Sequence, residues 1–249
     1  MRRYAAAPRI DRVSDMIASA ESPSPPVSRL DVEIPPLGLN GLLRLPDRPL
    51  GAIVFAHGSG SSRFSPRNNH VAEALGRVGF ASLLFDLLAT KEETDRANVF
   101  DIDMLAERLV QAIDWAHRSA PLGGLDIGLF GASTGSAAAL VAAAARPDQI
   151  GAVVSRGGRP DLALPALDRV RAPTLLLVGS LDTEVLRLNE IAYARLPEPK
   201  SLKVVPGATH LFSEPGALDA VVAAALVWFR RHLVDARSEE SADALQRPQ

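Results

Sequence analysis

Short apolar runs that alternate with longer helical patterns restrict this chain more than any other feature. The runs occupy residues 52–56, 81–85, 127–130, 150–154, 174–178 and 202–205. They do not alternate in polarity, so each reads as a strand covered on both faces, and the helical stretches between them read as parallel βα crossovers. Two earlier runs, 31–34 and 42–45, are joined through Pro36, Gly38 and Gly41 with no helix between them. They are expected as an antiparallel hairpin at one edge, which brings the sheet to about eight strands. The final helix is expected on Leu218, Val221, Val222, Ala225, Leu226, Phe229 and Leu233, spaced at i, i+3 and i+4.

One domain is expected. The chain has 249 residues, of which 47% are hydrophobic and 22% charged, enough for a single substantial core. Residues 1–29 are read as an extension and linker, 30–235 as the domain and 236–249 as a polar tail. Within the extension, 8–20 matches a short amphipathic helix on Ile10, Val13 and Ile17, and 21–28 is rich in proline and serine. A formal net charge of -2 speaks against nucleic acid or an anionic membrane as partner and favours a small molecule. The absence of cysteine removes thiolate chemistry. The N-terminus starts like a signal peptide, but Pro8, Arg9, Asp11 and Arg12 interrupt it, and no run nears the roughly 20 apolar residues of a membrane span. A cytoplasmic protein is therefore expected.

Gly131-Ala-Ser133-Thr-Gly135 fits the G-x-S-x-G elbow, and its context matches: an apolar strand enters it and an alanine-rich helix leaves it. A serine hydroxyl needs a base, and the base needs an acid to orient it; in sheets carrying this elbow the chain order is serine, acid, histidine. After Ser133 only His210 and His232 remain, and His232 falls within the last helix. His210, on a loop following a strand, is the base. Asp182, in the loop after the preceding strand, is the acid, with Asp161 the runner-up; a capping role would occupy Asp161 instead. Asp86 is read as structural, and Asp168 lies before a strand, on the wrong edge. Two amides must hold the oxyanion: that of Thr134, and one from the loop starting at His57, expected at Ser59 with Gly60 next. His57 itself is read as structural. Among the loop arginines Arg63, Arg67, Arg156 and Arg159, Arg63 and Arg156 are the ones expected to face a substrate. No metal is expected, since the histidines lack ligand spacing.

With His57-Gly-Ser-Gly-Ser-Ser-Arg-Phe-Ser-Pro-Arg-Asn68, Gly131–Gly135, Ser155-Arg-Gly-Gly-Arg-Pro-Asp-Leu162, Ala172–Gly179 with Asp182, and Pro206-Gly-Ala-Thr-His-Leu-Phe212 in hand, the chain resembles the dienelactone-hydrolase-like family of the α/β hydrolases. It is similar in particular to the hydrolase half of chains with an upstream phosphoribosyltransferase domain. The resemblance spans residues 45 to 235. It implies an α/β-hydrolase fold with a mainly parallel sheet, helices on both faces and no large cap, since few residues separate 154 from 174. Dienelactone hydrolases proper use cysteine where Ser133 stands, so their substrate is not carried over, and residues 1–30 are too few for a transferase domain. The expected activity is that of a cofactor-free carboxylesterase on small or short-acyl esters. Acyl or peracid transfer through the same residues, or a non-catalytic binding relative, are the alternatives.

Overall fold

The computed structural model describes residues 26–236. The helix expected over 8–20 and the tail from 237 onward lie outside them. Eight strands form one sheet: β1 (Val27–Ile34), β2 (Leu39–Pro46), β3 (Gly51–Ala56), β4 (Phe80–Phe85), β5 (Ile127–Ala132), β6 (Ile150–Arg156), β7 (Thr174–Gly179) and β8 (Lys200–Val205). Their order is β1-β2-β4-β3-β5-β6-β7-β8. The hairpin β1–β2 pairs antiparallel at the edge and β2 pairs antiparallel with β4, while the rest of the sheet is parallel. The first strand starts at Val27, so part of the segment read as linker is strand.

Each inner strand feeds both faces of the sheet, as period-two geometry requires. In β3, Ala52, Val54 and Ala56 join one core while Ile53 and Phe55 join the other. The first core is closed by α3 (Ile102–Arg118), α4 (Thr134–Ala145) and α5 (Thr183–Arg195), and the second by α1 (Pro66–Arg77) and α6 (Ala217–Arg230). A short α2 (Arg96–Phe100) precedes α3, and a π-helical turn, Arg231–Asp235, follows α6. The helix α4 is rich in alanine and buried almost all round, with Ala137, Ala138, Ala139, Ala142 and Ala143 fully enclosed. By contrast, α3 is amphipathic, burying Leu105, Leu109, Ala112, Ile113 and Ala116, and Asp101 caps it by accepting from the Met104 amide at 3.0 Å.

Between β6 and β7 lie only two single-turn 3₁₀ helices, Pro160–Ala163 and Leu167–Arg169. No large cap is built there. Because β3, β5, β6, β7 and β8 run in the same direction, the loops leaving their C-terminal ends gather on one edge, where open α/β sheets bind ligands. Among the described residues, no helix is long and apolar enough to cross a membrane.

Candidate active site

Ser133 sits between β5 and α4 with φ 51° and ψ -123°, a conformation sterically costly for a residue with a Cβ. Both flanking glycines are needed for that turn. A Cβ on Gly131 would lie 2.5 Å from Ser136 Cα, and one on Gly135 would lie 2.3 Å from the Ala56 carbonyl oxygen and 2.4 Å from that of His57. The elbow is tied into β6 and its loop: the Ser133 amide donates to Arg156 O at 3.3 Å, and the Arg159 amide donates to Ser133 O at 3.1 Å. The serine is half-buried.

His210 Nδ1 and Asp182 Oδ2 are 2.6 Å apart. Only 15% of the Asp182 side chain is exposed, against 38% for His210, so the carboxylate is shielded while the imidazole reaches the cleft. Although Asp182 occupies the N-cap position of α5, its carboxylate makes no cap bond there. The two loops are stitched together by Leu181 N–H to Ala208 O at 3.0 Å and Gly207 N–H to Ser180 Oγ at 2.8 Å. Glu214 clamps the residue before the histidine, accepting from the Thr209 amide at 3.1 Å and its hydroxyl at 2.5 Å. Ser133 and His210 line one cleft of about 460 Å³. No hydrogen bond joins their side chains here; in free enzymes such bonds are often long and tighten only around substrate.

Other residues named from the sequence fall differently. Asp161 does not cap the 3₁₀ turn, whose N-cap is Arg159; its two carboxylate oxygens instead receive Arg159 Nε and Nη2, each at 2.8 Å. The pairing satisfies the carboxylate within two residues, so Asp161 does not partner His210. Arg63 does not reach the cleft holding Ser133. Its guanidinium pairs with Asp86, its amide donates to Asp86 Oδ1 at 2.8 Å, and it packs on the Phe64 ring, because the end of β4 places that carboxylate beside it. Asp168 pairs with Arg195 at the far end of α5. His57 donates Nδ1–H to Gly58 O at 3.0 Å while Nε2 accepts the Leu87 amide at 3.1 Å. That fixes one neutral tautomer, and burial holds its pKa below the ordinary value. Ser59 and Thr134 lie against each other, but the Ser59 amide donates to Thr134 Oγ1 at 2.9 Å, so that donor is already engaged.

Arg156 does line the cleft, together with Arg67 and Asn68, which sequence reasoning passed over in favour of Arg63. The missed signal is at the start of α1: Ser65 caps it, Pro66 opens it, and its first turn carries Arg67 and no acidic residue. Arg156 is 7% exposed, and burial with the neighbouring charge of Arg67 lowers its pKa to about 10. A second, mostly apolar lobe of about 490 Å³, lined by Leu87, Leu88, Val99 and Leu105, opens on the other side of Ser59 and Thr134.

A family model for the alpha/beta hydrolase fold matches residues 51–198. A Mycobacterium tuberculosis protein provisionally named phosphoribosyl transferase, found in two strains, is 51% identical over 234 residues, 93% of this chain. The chain spans about half of that relative's length, 51%. The crystal structure of a dienelactone hydrolase from Anabaena variabilis superposes with a TM-score of 0.80 at 50% identity, covering 84% of this chain and 99% of that one. Est1E from Butyrivibrio proteoclasticus, at 16% identity and a TM-score of 0.68 over 82% of this chain and 98% of its own, shares the fold. The chain belongs to the α/β-hydrolase superfamily and, within it, to the dienelactone-hydrolase-like family.

Proposed function

We propose that this protein is a serine carboxylesterase that works through an acyl-enzyme on Ser133. The observation that carries the reading is the 2.6 Å contact between His210 Nδ1 and Asp182 on the cleft that Ser133 enters from a strained elbow. An acceptor at Nδ1 keeps the proton there, which leaves the Nε2 lone pair free for the serine.

In the first half-reaction Ser133 Oγ bonds to the ester carbonyl carbon and its proton passes to His210 Nε2. The carbon–alkoxide bond then breaks, and His210 returns the proton to the departing alcohol. Water repeats the sequence on the acyl-enzyme, losing a proton to His210, and the carboxylic acid leaves as Ser133 regains its proton. Asp182 counters the imidazolium charge at both stages. The Thr134 amide, at the first position of α4 where no intrahelical carbonyl awaits it, is one oxyanion donor. The Ser59 amide is the second, the substrate oxygen displacing the Thr134 hydroxyl that now occupies it. The open edge between β6 and β7 suits small or short-acyl esters, and no cofactor enters any step.

The transferase in the name of the mycobacterial relatives is not proposed for this chain; a hydroxyl and an imidazole on one cleft, with a carboxylate behind the imidazole, are the equipment of acyl transfer. The test is labelling with a fluorophosphonate, followed by mass mapping, beside turnover of nitrophenyl esters graded in acyl length. An adduct on Ser133 and hydrolysis of the shorter esters are expected. A serine that stays unlabelled in folded protein would refute the reading.

A further inference from the structure

The peptide that carries the Ser59 N–H is held from both sides. Its carbonyl, that of Gly58, accepts from His57 Nδ1 at 3.0 Å and from the Ser61 amide at 3.2 Å, with Gly60 turning the chain between them at φ 68°. Gly58 also lies directly on the elbow, where a Cβ would stand 2.9 Å from Ser133 Cβ and 3.1 Å from Ala132 O. The backbone donor is thus fixed, and what it meets is a side chain, Thr134 Oγ1 at 2.9 Å. We propose, building on the esterase reading, that the Thr134 hydroxyl is itself a catalytic group: displaced from the Ser59 amide by the substrate oxygen, it turns its own O–H onto that oxygen and serves as a third oxyanion donor beside the two amides.

The donor is there because the hydroxyl is used on one side only. Thr134 is 4% exposed, and its Oγ1 accepts one hydrogen bond and, among the described residues, donates none. A hydroxyl inside a helix ordinarily gives its proton to a carbonyl one turn back, but Thr134 opens α4, and four residues earlier stands Phe130, in β5. Ser133, at the N-cap, makes no side-chain cap bond either, so the hydroxyl of Thr134 is not part of a capping arrangement. A buried O–H without an acceptor is costly, and an oxygen that turns anionic beside it relieves that cost only while the charge lasts.

Position follows from the two amides. An oxygen that both the Thr134 and the Ser59 N–H reach lies beside this hydroxyl, which belongs to one donor residue and touches the other. Threonine in a helix populates two χ1 wells where valine is held almost entirely in one, so the hydroxyl has a second place to turn when substrate takes the Ser59 N–H. As Ser133 Oγ bonds to the carbonyl carbon, the π pair moves onto the carbonyl oxygen, and the O–H hydrogen-bonds that alkoxide without giving up its proton. When the tetrahedral species collapses, the pair returns to the C=O bond and the alcohol departs with the proton from His210. The hydroxyl goes back to the Ser59 amide once the acid has left, so the donor is never without a partner.

The experiment replaces Thr134 by valine, which puts a methyl where the hydroxyl stands, by alanine, which keeps the test alive if valine does not fold, and by serine, which keeps the hydroxyl. Nitrophenyl butyrate turnover and melting temperature are measured for each, together with inhibition by propyl trifluoromethyl ketone, whose carbonyl carbon takes Ser133 Oγ to give a stable alkoxide in the same place. Thr134→Val and Thr134→Ala should lower kcat by about tenfold to a hundredfold, the range of a hydrogen bond to a charged oxygen, with KM nearly unchanged, and should weaken the ketone by the same factor. Thr134→Ser should stay close to the unaltered protein in both. A kcat that holds or rises in Thr134→Val and Thr134→Ala would overturn the proposal, since the hydroxyl would then only obstruct the Ser59 amide. So would a fall in kcat that ketone affinity does not follow, or one that Thr134→Ser shares, because lost packing explains either. An unaltered protein in which Ser133 reacts with neither the fluorophosphonate nor the ketone would sink the esterase reading, and this inference with it, whatever stands at position 134.

Discussion

Replacing Asp182 by asparagine tests the proposed mechanism at its most exposed joint. The carboxylate faces His210 Nδ1 at 2.6 Å. An asparagine that turns its NH₂ to the ring requires a lone pair on Nδ1, which moves the proton to Nε2 and removes the acceptor Ser133 needs. Turned the other way, its carbonyl oxygen keeps the tautomer but leaves the imidazolium without a countercharge. Either outcome lowers kcat, by about ten-thousandfold when the tautomer is lost, or about 5.5 kcal/mol of barrier. Folding should hardly change, because the Asp182 side chain makes no cap bond that asparagine would lose. Asp161→Asn is the matched control. It removes one bidentate pair with Arg159, whose side chain is 38% exposed, so solvent screening limits the cost to about 1 kcal/mol or less. Turnover should stay near that of the unaltered protein. Nitrophenyl butyrate hydrolysis and urea unfolding of both variants provide the readout. Loss of turnover in Asp161→Asn with Asp182→Asn mildly affected would take Asp182 out of the mechanism.

Three further substitutions and one condition extend the test. Ser133→Ala should abolish turnover, with a residual above about a thousandth counting against covalent catalysis; Ser133→Gly should unfold later than Ser133→Ala by about 1 kcal/mol, since glycine adopts φ 51° without strain, and equal midpoints would deny that the elbow is strained. Gly135→Ala should cost about 3 kcal/mol or more, because its Cβ would meet backbone oxygens of Ala56 and His57 that cannot rotate away; near-normal stability would contradict the close packing of α4 on β3. His57 holds a folded pKa below the ordinary 6.5, so the unfolded chain binds its proton first. Its stabilising contribution is present above that value and drains as pH falls below it, by up to about 1.36 kcal/mol per pH unit. Denaturant midpoints at pH 7.5 and 5.5 should differ less in His57→Gln, and an unaltered protein more stable at the lower pH would refute this. Activity should survive a chelator, because no group of three metal-binding side chains converges among the described residues; restoration by a divalent ion after loss would overturn it.

The strands, their parallel course and the edge hairpin were legible because burial on both faces leaves a local mark in the order of residues. So was the gathering of Ser133, Asp182 and His210 at one edge, since a parallel sheet brings the ends of β5, β7 and β8 together whatever lies between. Partner choice among charged side chains was not legible. Arg63 and Arg156 look alike in sequence, yet the end of β4 supplies Arg63 with Asp86, while Arg156 meets the Asn68 amide, the Phe212 ring and another arginine. Asp161 met the nearest guanidinium instead of capping a turn. Ser59 and Thr134, 75 positions apart, came close enough for one to occupy the other's amide. Local pattern determines which surfaces are buried. Which charge meets which depends on distances of a few ångströms between segments far apart in the chain, and those exist only once the two cores have closed on the sheet.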